Sequence, residues 1–169
     1  MQLHFQRYIG QDAIAGNYSD QKGIVINSDC KRYSIRLNLD RKIFKNFSVG
    51  THMTASHTIS NSVATDTGGE DGTISGALRM NPIQPVYEDE LTGAYTQINV
   101  PGILVPNPVA TAKERKFNNA TSRLLGDIYA QWEIIPDLKL KVSLGADVMY
   151  HKTNRYTPSN IYQSGGVAS

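Results

Sequence analysis

The chain has 169 residues, a formal net charge of +2 and a hydrophobic content of 40%, which argues against extensive disorder and against a polyanionic partner such as nucleic acid. No stretch approaches the roughly 18 consecutive apolar residues that a membrane helix needs, and the single cysteine, Cys30, excludes an internal disulfide. The first sixteen residues contain one arginine and no apolar core, so they do not predict a signal peptide.

The first clear strand is KRYSIRLNLD, residues 31–40, in which apolar and polar side chains alternate. A strand has a period of two, so its apolar side chains share one face. Residues 47–60 alternate in the same way after a short turn at RKIFKN. A register with Leu39 opposite Phe47 and Leu37 opposite Val49 would match the apolar rows, and we therefore predict a β-hairpin.

A long connection, residues 61–120, follows and holds five of the seven prolines. Within it, DGTISGALRMNP predicts a short helix with Asp71 or Thr73 as its N-cap, ended by Asn81 and Pro82. PVYEDELTGAYTQ predicts a small hairpin that bends at Gly93. A connection of this length inside a compact domain indicates that it has a function of its own.

A second hairpin is predicted between residues 124 and 150, with the loop IPD pairing Ile134 with Leu138 and Trp132 with Leu140. The alternating segments of both hairpins extend over about 9 to 14 residues, whereas strands of globular proteins cluster near 5 to 6. About 9 to 11 tilted residues cross the hydrocarbon of a bilayer. Strand length therefore favours the wall of a membrane barrel, although a long sheet of a soluble protein shows the same alternation.

The sequence predicts no catalytic or metal site, and hence no enzymatic activity and no cofactor. His52 and His57 are five residues apart in a strand and face opposite sides, so they cannot share a metal ion. The segment TDTGG resembles one half of an aspartic protease site, but no second carboxylate motif accompanies it. Tyr87 and Tyr95, in the long connection, are candidates for ligand contact because they can stack on sugar rings. They can equally hold the small hairpin together, which is the commoner role.

Four segments, YSDQKGIVINSDCKRYSIRLNLD, SGALRMNPIQPVY, VPNPVATAKE and IYQSGGVAS, together resemble the SusC/RagA-type TonB-dependent outer-membrane transporters of Bacteroidetes. The resemblance extends from about residue 17 to residue 169. It implies an all-β fold, an antiparallel transmembrane β-barrel segment of about four to five strands with one long extracellular loop. It also implies that the protein lies in the cell outer membrane.

The resemblance implies which face of each strand meets lipid and which meets the barrel lumen. Trp132 would lie in the inner aromatic girdle, and Tyr33 and Tyr150 in the outer one. The side chains expected to face lipid are Ile35, Leu37, Leu39, Val49, Ile128, Trp132, Leu140, Val142, Leu144 and Val148. Those expected to face the lumen are Arg36, Gln131, Lys141 and Asp147.

The implied organisation is barrel strands with the first hairpin at 1–60, the long extracellular loop with a short helix and a small hairpin at 61–120, the second barrel hairpin at 121–156, and the start of another extracellular loop at 157–169. The implied function is nutrient uptake, of oligosaccharides or peptides, with TonB and a SusD-like surface lipoprotein as partners. Neither a plug domain nor a TonB box is recognised, so we expect an internal part of a barrel that does not transport alone. The alternative is a soluble all-β carbohydrate-binding module whose apolar rows pack inward.

Overall fold

The computed structural model describes residues 1–9, 12–63, 72–96, 98–100 and 103–158. The strands in these residues are β1 (Gln2–Ile9), β2 (Asp12–Lys22), β3 (Asp29–Phe44), β4 (Phe47–Asn61), β5 (Tyr87–Asp89), β6 (Ala94–Tyr95), β7 (Ile98–Val100), β8 (Ile103–Val105), β9 (Lys116–Ile135) and β10 (Leu138–Tyr156). The helices are α1 (Thr73–Arg79) and α2 (Pro108–Glu114). Neither helix has the length and apolar content to cross a bilayer.

Six of the strands form one antiparallel sheet in the order β1-β2-β3-β4-β9-β10. The all-β expectation is thereby confirmed, with one or two strands more than the sequence predicted. The difference lies at the start of the chain, where β1 and β2 pair from Gln2↔Ser19 to Ile9↔Asp12 without clean alternation. Backbone hydrogen bonds supply that pairing whatever the side chains are.

The four central strands are longer than their alternation indicated. Strands β3, β4, β9 and β10 have 16, 15, 20 and 19 residues, against the predicted 9 to 14. Backbone pairing continues beyond the point where side chains stop alternating, for instance at the start of β9. The strands are joined by tight turns at residues 45–46 and 136–137, and Asp137 takes the left-handed conformation (φ 70°) that short polar side chains tolerate.

The predicted register of the first hairpin is wrong. With only two residues in the turn, Phe47 lies next to the end of β3 rather than opposite Leu39. In the predicted register Asp40 would lie opposite Asn46, six residues away from His52. Instead His52 Nε2 lies 3.7 Å from Asp40 Oδ2. The side chains nevertheless keep their predicted faces, since Leu39 and Val49 line a depression on one face and Asn38 and His52 line a depression on the other.

Two compact units divide the chain. We call the first, Met1–Gln21, Cys30–Ile59 and Asn119–Lys152, the sheet unit, and the second, Lys22–Asp29, Ser60–Asn118 and Thr153–Ser169, the loop unit. Among the described residues, the buried apolar side chains are Val105, Ala110 and Ala112, all in the loop unit. The sheet unit therefore has no apolar core of its own in the described part of the chain.

The loop unit contains both helices and two small hairpins, β5–β6 and β7–β8. The bend at Gly93 is confirmed, with φ at +69°. Helix α1 ends before Asn81 as predicted, but its N-cap is Gly72, which gives no side-chain cap, so the expected cap at Thr73 is wrong. The other expected cap, Asp71, lies outside the described residues. The sequence reading missed α2 and the hairpin β7–β8.

Candidate functional site: two faces of a sheet and an ordered loop

The apolar side chains of the sheet unit share one exposed face, as their alternation predicted. Near the short turns, one shallow depression on this face is lined by Leu39, Val49, Ile128, Val142 and Leu144. Leu144, at the middle of the apolar row of β10, is 70% exposed. Further along the strands, a second depression is lined by Tyr33, Ile35, Leu124, Val148 and Tyr150. Leu37 follows the same alternation on β3, and Trp132 and Leu140, both exposed, do so on β9 and β10.

The opposite face is polar. Arg36 and Asp147, two of the side chains predicted to face the lumen, line one depression there together with Asn38, His52 and Thr54. Asp147 accepts two hydrogen bonds from the Arg123 guanidinium, at 2.8 Å from Nε and 2.5 Å from the terminal nitrogen. Such a bidentate pair fixes the guanidinium plane.

Tyr129 occupies the centre of a group of side chains on the polar face. Its hydroxyl donates a hydrogen bond of 2.5 Å to Asp40 Oδ1, and its ring lies nearly parallel to the His52 ring, with centroids 5.9 Å apart. Lys141 Nζ, predicted to face the lumen, lies 4.2 Å from the centroid of the Tyr129 ring, within the range of a cation–π contact. Gln131 is the next residue on the same face of β9 and is half-buried.

His52 links two carboxylates in this group. Its Nδ1 lies 3.3 Å from Asp127 Oδ2, and its Nε2 lies 3.7 Å from Asp40 Oδ2. We call these residues the polar cluster: Asp40, Gly50, His52, Asp127, Tyr129 and Lys141. In the described part of the chain no group of His, Cys, Asp and Glu side chains has the geometry to hold a metal ion. The cluster therefore offers hydrogen bonds and charge.

The sequence reading missed Tyr129, Asp40 and Asp127 as a group. One signal for it was present, because Gly50 interrupts the alternation of β4, and an isolated glycine in a strand marks the close approach of another group. A methyl group on Gly50 would overlap the Asp40 carboxylate and the ring of Tyr129, whose Cζ would be 2.6 Å away.

The two tyrosines proposed as ligand contacts pack on each other. The rings of Tyr87 and Tyr95 have centroids 5.1 Å apart and are tilted by 30°. Lys113 Nζ, on α2, donates a hydrogen bond of 3.2 Å to the Tyr87 hydroxyl, which raises the pKa of the lysine. Burial raises the pKa of Tyr95. The ring contact holds the hairpin β5–β6 together, as the alternative interpretation of these tyrosines predicts. The Lys113 bond joins the hairpin to α2, which the sequence did not predict.

Asn107 joins the same hairpin to the start of α2. It is 3% exposed, and as the N-cap its Oδ1 accepts hydrogen bonds from the backbone N–H groups of Val109 (3.0 Å) and Ala110 (3.3 Å). Its Nδ2 donates to the backbone oxygens of Val86 (2.9 Å) and Thr96 (3.0 Å). Both donors and both acceptor sites of the amide are therefore used.

Asn27 caps the other end of α2. Its Nδ2 donates hydrogen bonds of 3.2 Å to the backbone oxygens of Ala112 and Lys113, which the last turn of a helix leaves without partners. Asn27 adopts φ 63°, a left-handed conformation that asparagine tolerates better than most residues. The short segment between β2 and β3 is thus part of the structure around α2.

The turn of the hairpin β5–β6 depends on the ionised Asp89 carboxylate. The backbone N–H of Leu91 donates a hydrogen bond of 2.9 Å to Asp89 Oδ1, and the Thr92 hydroxyl one of 3.0 Å to Oδ2. These bonds hold the pKa of Asp89 below its usual range. Their contribution is complete above the unfolded pKa of about 3.9 and is lost as the pH falls through the lower folded value.

We therefore expect the protease sensitivity of residues 88–95 to stay constant between pH 7 and about pH 5 and to rise below about pH 4. The measurement is pulsed digestion, at each pH with a protease that is active there and calibrated on an unfolded peptide of residues 88–95, followed by mass spectrometry of the cleavage sites. Asp89→Asn is the matched control, since its amide oxygen still accepts the Leu91 bond but does not titrate, so the rise at acid pH should be absent. The same rise in Asp89→Asn would refute the assignment.

No protein-family model matches the chain. Curated relatives do. The chain is 34% identical over 158 residues to the TonB-dependent receptor P3 of Formosa agariphila, an alignment that covers 91% of this chain and 16% of that protein. It is 31% identical over 151 residues to the TonB-dependent receptor SusC of Bacteroides thetaiotaomicron, covering 77% of this chain and 15% of that protein. The chain spans about a sixth of the length of these relatives. The resemblance seen in its segments is confirmed: over the aligned residues, the chain belongs with the TonB-dependent receptors of the SusC type.

Proposed function

We propose that the sheet unit forms part of the barrel wall of a TonB-dependent outer-membrane transporter, and that the loop unit forms part of its external surface. The observation that carries the proposal is the exposed apolar face of a sheet whose four longest strands have 15 to 20 residues. Two relatives named as TonB-dependent receptors support it independently. We assign the chain no enzymatic activity.

In this proposal the apolar face meets lipid and the polar face lines the lumen. The proposed lipid-facing side chains are Ile35, Leu37, Leu39, Val49, Ile128, Trp132, Leu140, Val142, Leu144 and Val148, and the proposed lumen-facing ones are Arg36, Gln131, Lys141 and Asp147. Since about 9 to 11 residues cross the hydrocarbon, strands of 15 to 20 residues extend beyond it. Short turns on one side and long connections on the other are typical of outer-membrane barrels.

We propose the division of the chain that the resemblance implies: wall at 1–60, external loop at 61–120, wall at 121–156, and a further external loop from 157, of which residues beyond 158 lie outside the described part. The cargo we propose is an oligosaccharide, with a peptide as the second choice, and the energy would come through TonB. Transport is a property we assign to the whole receptor and not to these residues alone.

A SusD-like surface lipoprotein is the proposed partner of the loop unit. Leu78, Ile83 and Leu91 of this unit are 84%, 86% and 98% exposed, so their side chains are accessible to a partner. Tyr87 and Tyr95 are less available for cargo, because each ring is in contact with the other. A cargo contact by these tyrosines would use their outer faces.

The alternative, a soluble carbohydrate-binding module, places the same apolar rows inside a core. In the described residues these rows are exposed instead: Leu144 is 70% exposed and Ile35 62%. A soluble sheet of this size would bury such a face against a second layer. The exposed row therefore favours the membrane wall.

The test is an immunoblot of fractionated native cells with an antibody raised against residues 61–120. We expect the band in the outer-membrane fraction, extracted by detergent and not by high salt or carbonate. The apparent mass of the band shows at the same time whether these residues belong to a longer protein. A band that stays in the soluble fraction would overturn the proposal and restore the soluble module.

A further inference from the structure

Strands β4 and β9 are neighbours in the sheet without a short turn to align them. The turns at 45–46 and 136–137 fix the pairings β3–β4 and β9–β10. The pairing β4–β9 instead closes over residues 62–115, and a long connection sets no register. Something else in the sheet must align these two strands.

Alternation of side chains restricts the register of β4 against β9 but does not fix it. A slip of one residue would turn every apolar side chain of β9 to the polar face, so alternation opposes it strongly. A slip of two residues leaves every side chain on its own face and is not opposed in this way. The register of β4 against β9 therefore needs a contact that only one position can make.

We infer that the ring of Tyr129, seated over Gly50, is the contact that sets the register between β4 and β9. The ring lies where a side chain at position 50 would be, and any Cβ there would overlap it. Gly50 is the only residue without a side chain on the polar face of β4, whose members are Ser48, Gly50, His52, Thr54, Ser56, Thr58 and Ser60. A slip of two residues would bring Tyr129 against Ser48 or His52.

The surrounding contacts hold the ring in this seat from both sides. The Tyr129 hydroxyl reaches past β4 to Asp40 on β3 (2.5 Å), and Lys141 covers the ring from β10. On β4 itself, the Thr51 hydroxyl donates to the Asp127 backbone oxygen (2.9 Å). These contacts join four adjacent strands around one glycine.

The chain of contacts continues to β2. The backbone N–H of Asp40 donates to Asp12 Oδ1 (3.4 Å), and Asp12, 6% exposed, also forms an ion pair with Arg41. The same residues that seat Tyr129 are thus linked across five strands, β2, β3, β4, β9 and β10. This inference does not depend on lipid, cargo or transport.

The test is cysteine cross-linking of the full chain, with Cys30→Ser in every variant. His57 and Ser122 report the observed register, since His57 Nδ1 lies 2.8 Å from Ser122 Oγ across β4 and β9. Cysteines at 57 and 122 therefore test that register. Cysteines at 55 and 122, or at 59 and 122, test a slip of two residues. Oxidation and mass spectrometry of digests give the yield of each cross-link.

With Tyr129 intact we expect the 57–122 cross-link and neither slipped one. Tyr129→Ala should reduce the 57–122 yield and produce a slipped cross-link. Tyr150→Ala is the matched control, because it removes the same side chain from the exposed apolar face of β10 and should leave the yields unchanged. A Tyr129→Ala protein that forms only the 57–122 cross-link, at the parent yield, would overturn the inference.

Two milder variants decide the question if Tyr129→Ala does not assemble. Tyr129→Phe keeps the ring over Gly50 and loses the bond to Asp40, so it should stay in the observed register. Gly50→Ala fills the seat with a methyl group and should produce the slipped cross-link. If Gly50→Ala cross-links like the parent, the seat does not set the register.

Discussion

Leu144→Arg is expected to destabilise the assembled protein in a bilayer by about 2 to 4 kcal/mol, the usual cost of an arginine on the lipid face near the midplane of a barrel. Leu144 is at the centre of the apolar row that runs from Leu138 to Tyr150 on β10, and its side chain is 70% exposed. If the apolar row faces lipid as proposed, a guanidinium at this place would replace a contact with hydrocarbon.

Ser143→Arg is the matched control. It places the same side chain one residue away, on the polar face, where we expect a change below about 1 kcal/mol. The measurement is urea unfolding of the protein in phospholipid bilayers, followed by the fluorescence of Trp132, the only tryptophan of the chain. If both variants lose the same free energy of unfolding, the two faces do not differ in their surroundings. That result would refute the proposed orientation of the wall.

Asn107→Ala is expected to give the largest effect in the loop unit, about 2 to 3 kcal/mol of local stability. The substitution removes an N-cap, which costs about 1 kcal/mol, and takes the Asn107 donor from the buried backbone oxygen of Thr96, which costs about 1 to 3 kcal/mol. The Val86 oxygen keeps its bond from the Thr96 backbone N–H. The two costs do not simply add, because both act on one small structure. Hydrogen exchange of the backbone amides of α2 and β5–β6 would measure the loss.

Two further variants separate the two causes. Asn107→Asp keeps both cap acceptors but replaces the donors by an oxygen facing two carbonyl groups, so it should cost as much as Asn107→Ala or more. Asn81→Ala, which removes one local bond to the backbone N–H of Ile83 at an exposed site, should change the exchange little. If the backbone amides of Asn107→Asp exchange as in the parent protein, the loss of stability in Asn107→Ala is due to the N-cap alone.

Sequence reasoning predicted the faces of the strands and failed on a register, for one physical reason. Alternation determines only which face each side chain lies on, and a strand that slides by two residues keeps every side chain on the same face. It therefore placed Ile35 and Leu144 on one face and Arg36 and Asp147 on the other, as the structure does. It did not exclude the incorrect pairing of Leu39 with Phe47, since that pairing leaves all faces intact.

The sequence contains a signal for helix α2 that the prediction did not use. Asn107 followed by Pro108 is the usual start of a helix, with a capping side chain and a proline in the first turn, yet the sequence reading left α2 as loop. Other features had no local signal. The contact of Asn27 with α2 joins residues more than 80 positions apart, and no periodicity or motif in either segment predicts it.

That contact bears on how such surfaces can be exchanged between related proteins. The loop unit combines residues from three separate parts of the chain, and the helix at its centre is capped at one end by Asn107 and at the other by Asn27. A graft of residues 60–118 into another receptor would carry only the first of these caps. A recombination that moves the long segment must therefore also move residues 22–29 or supply an equivalent asparagine there.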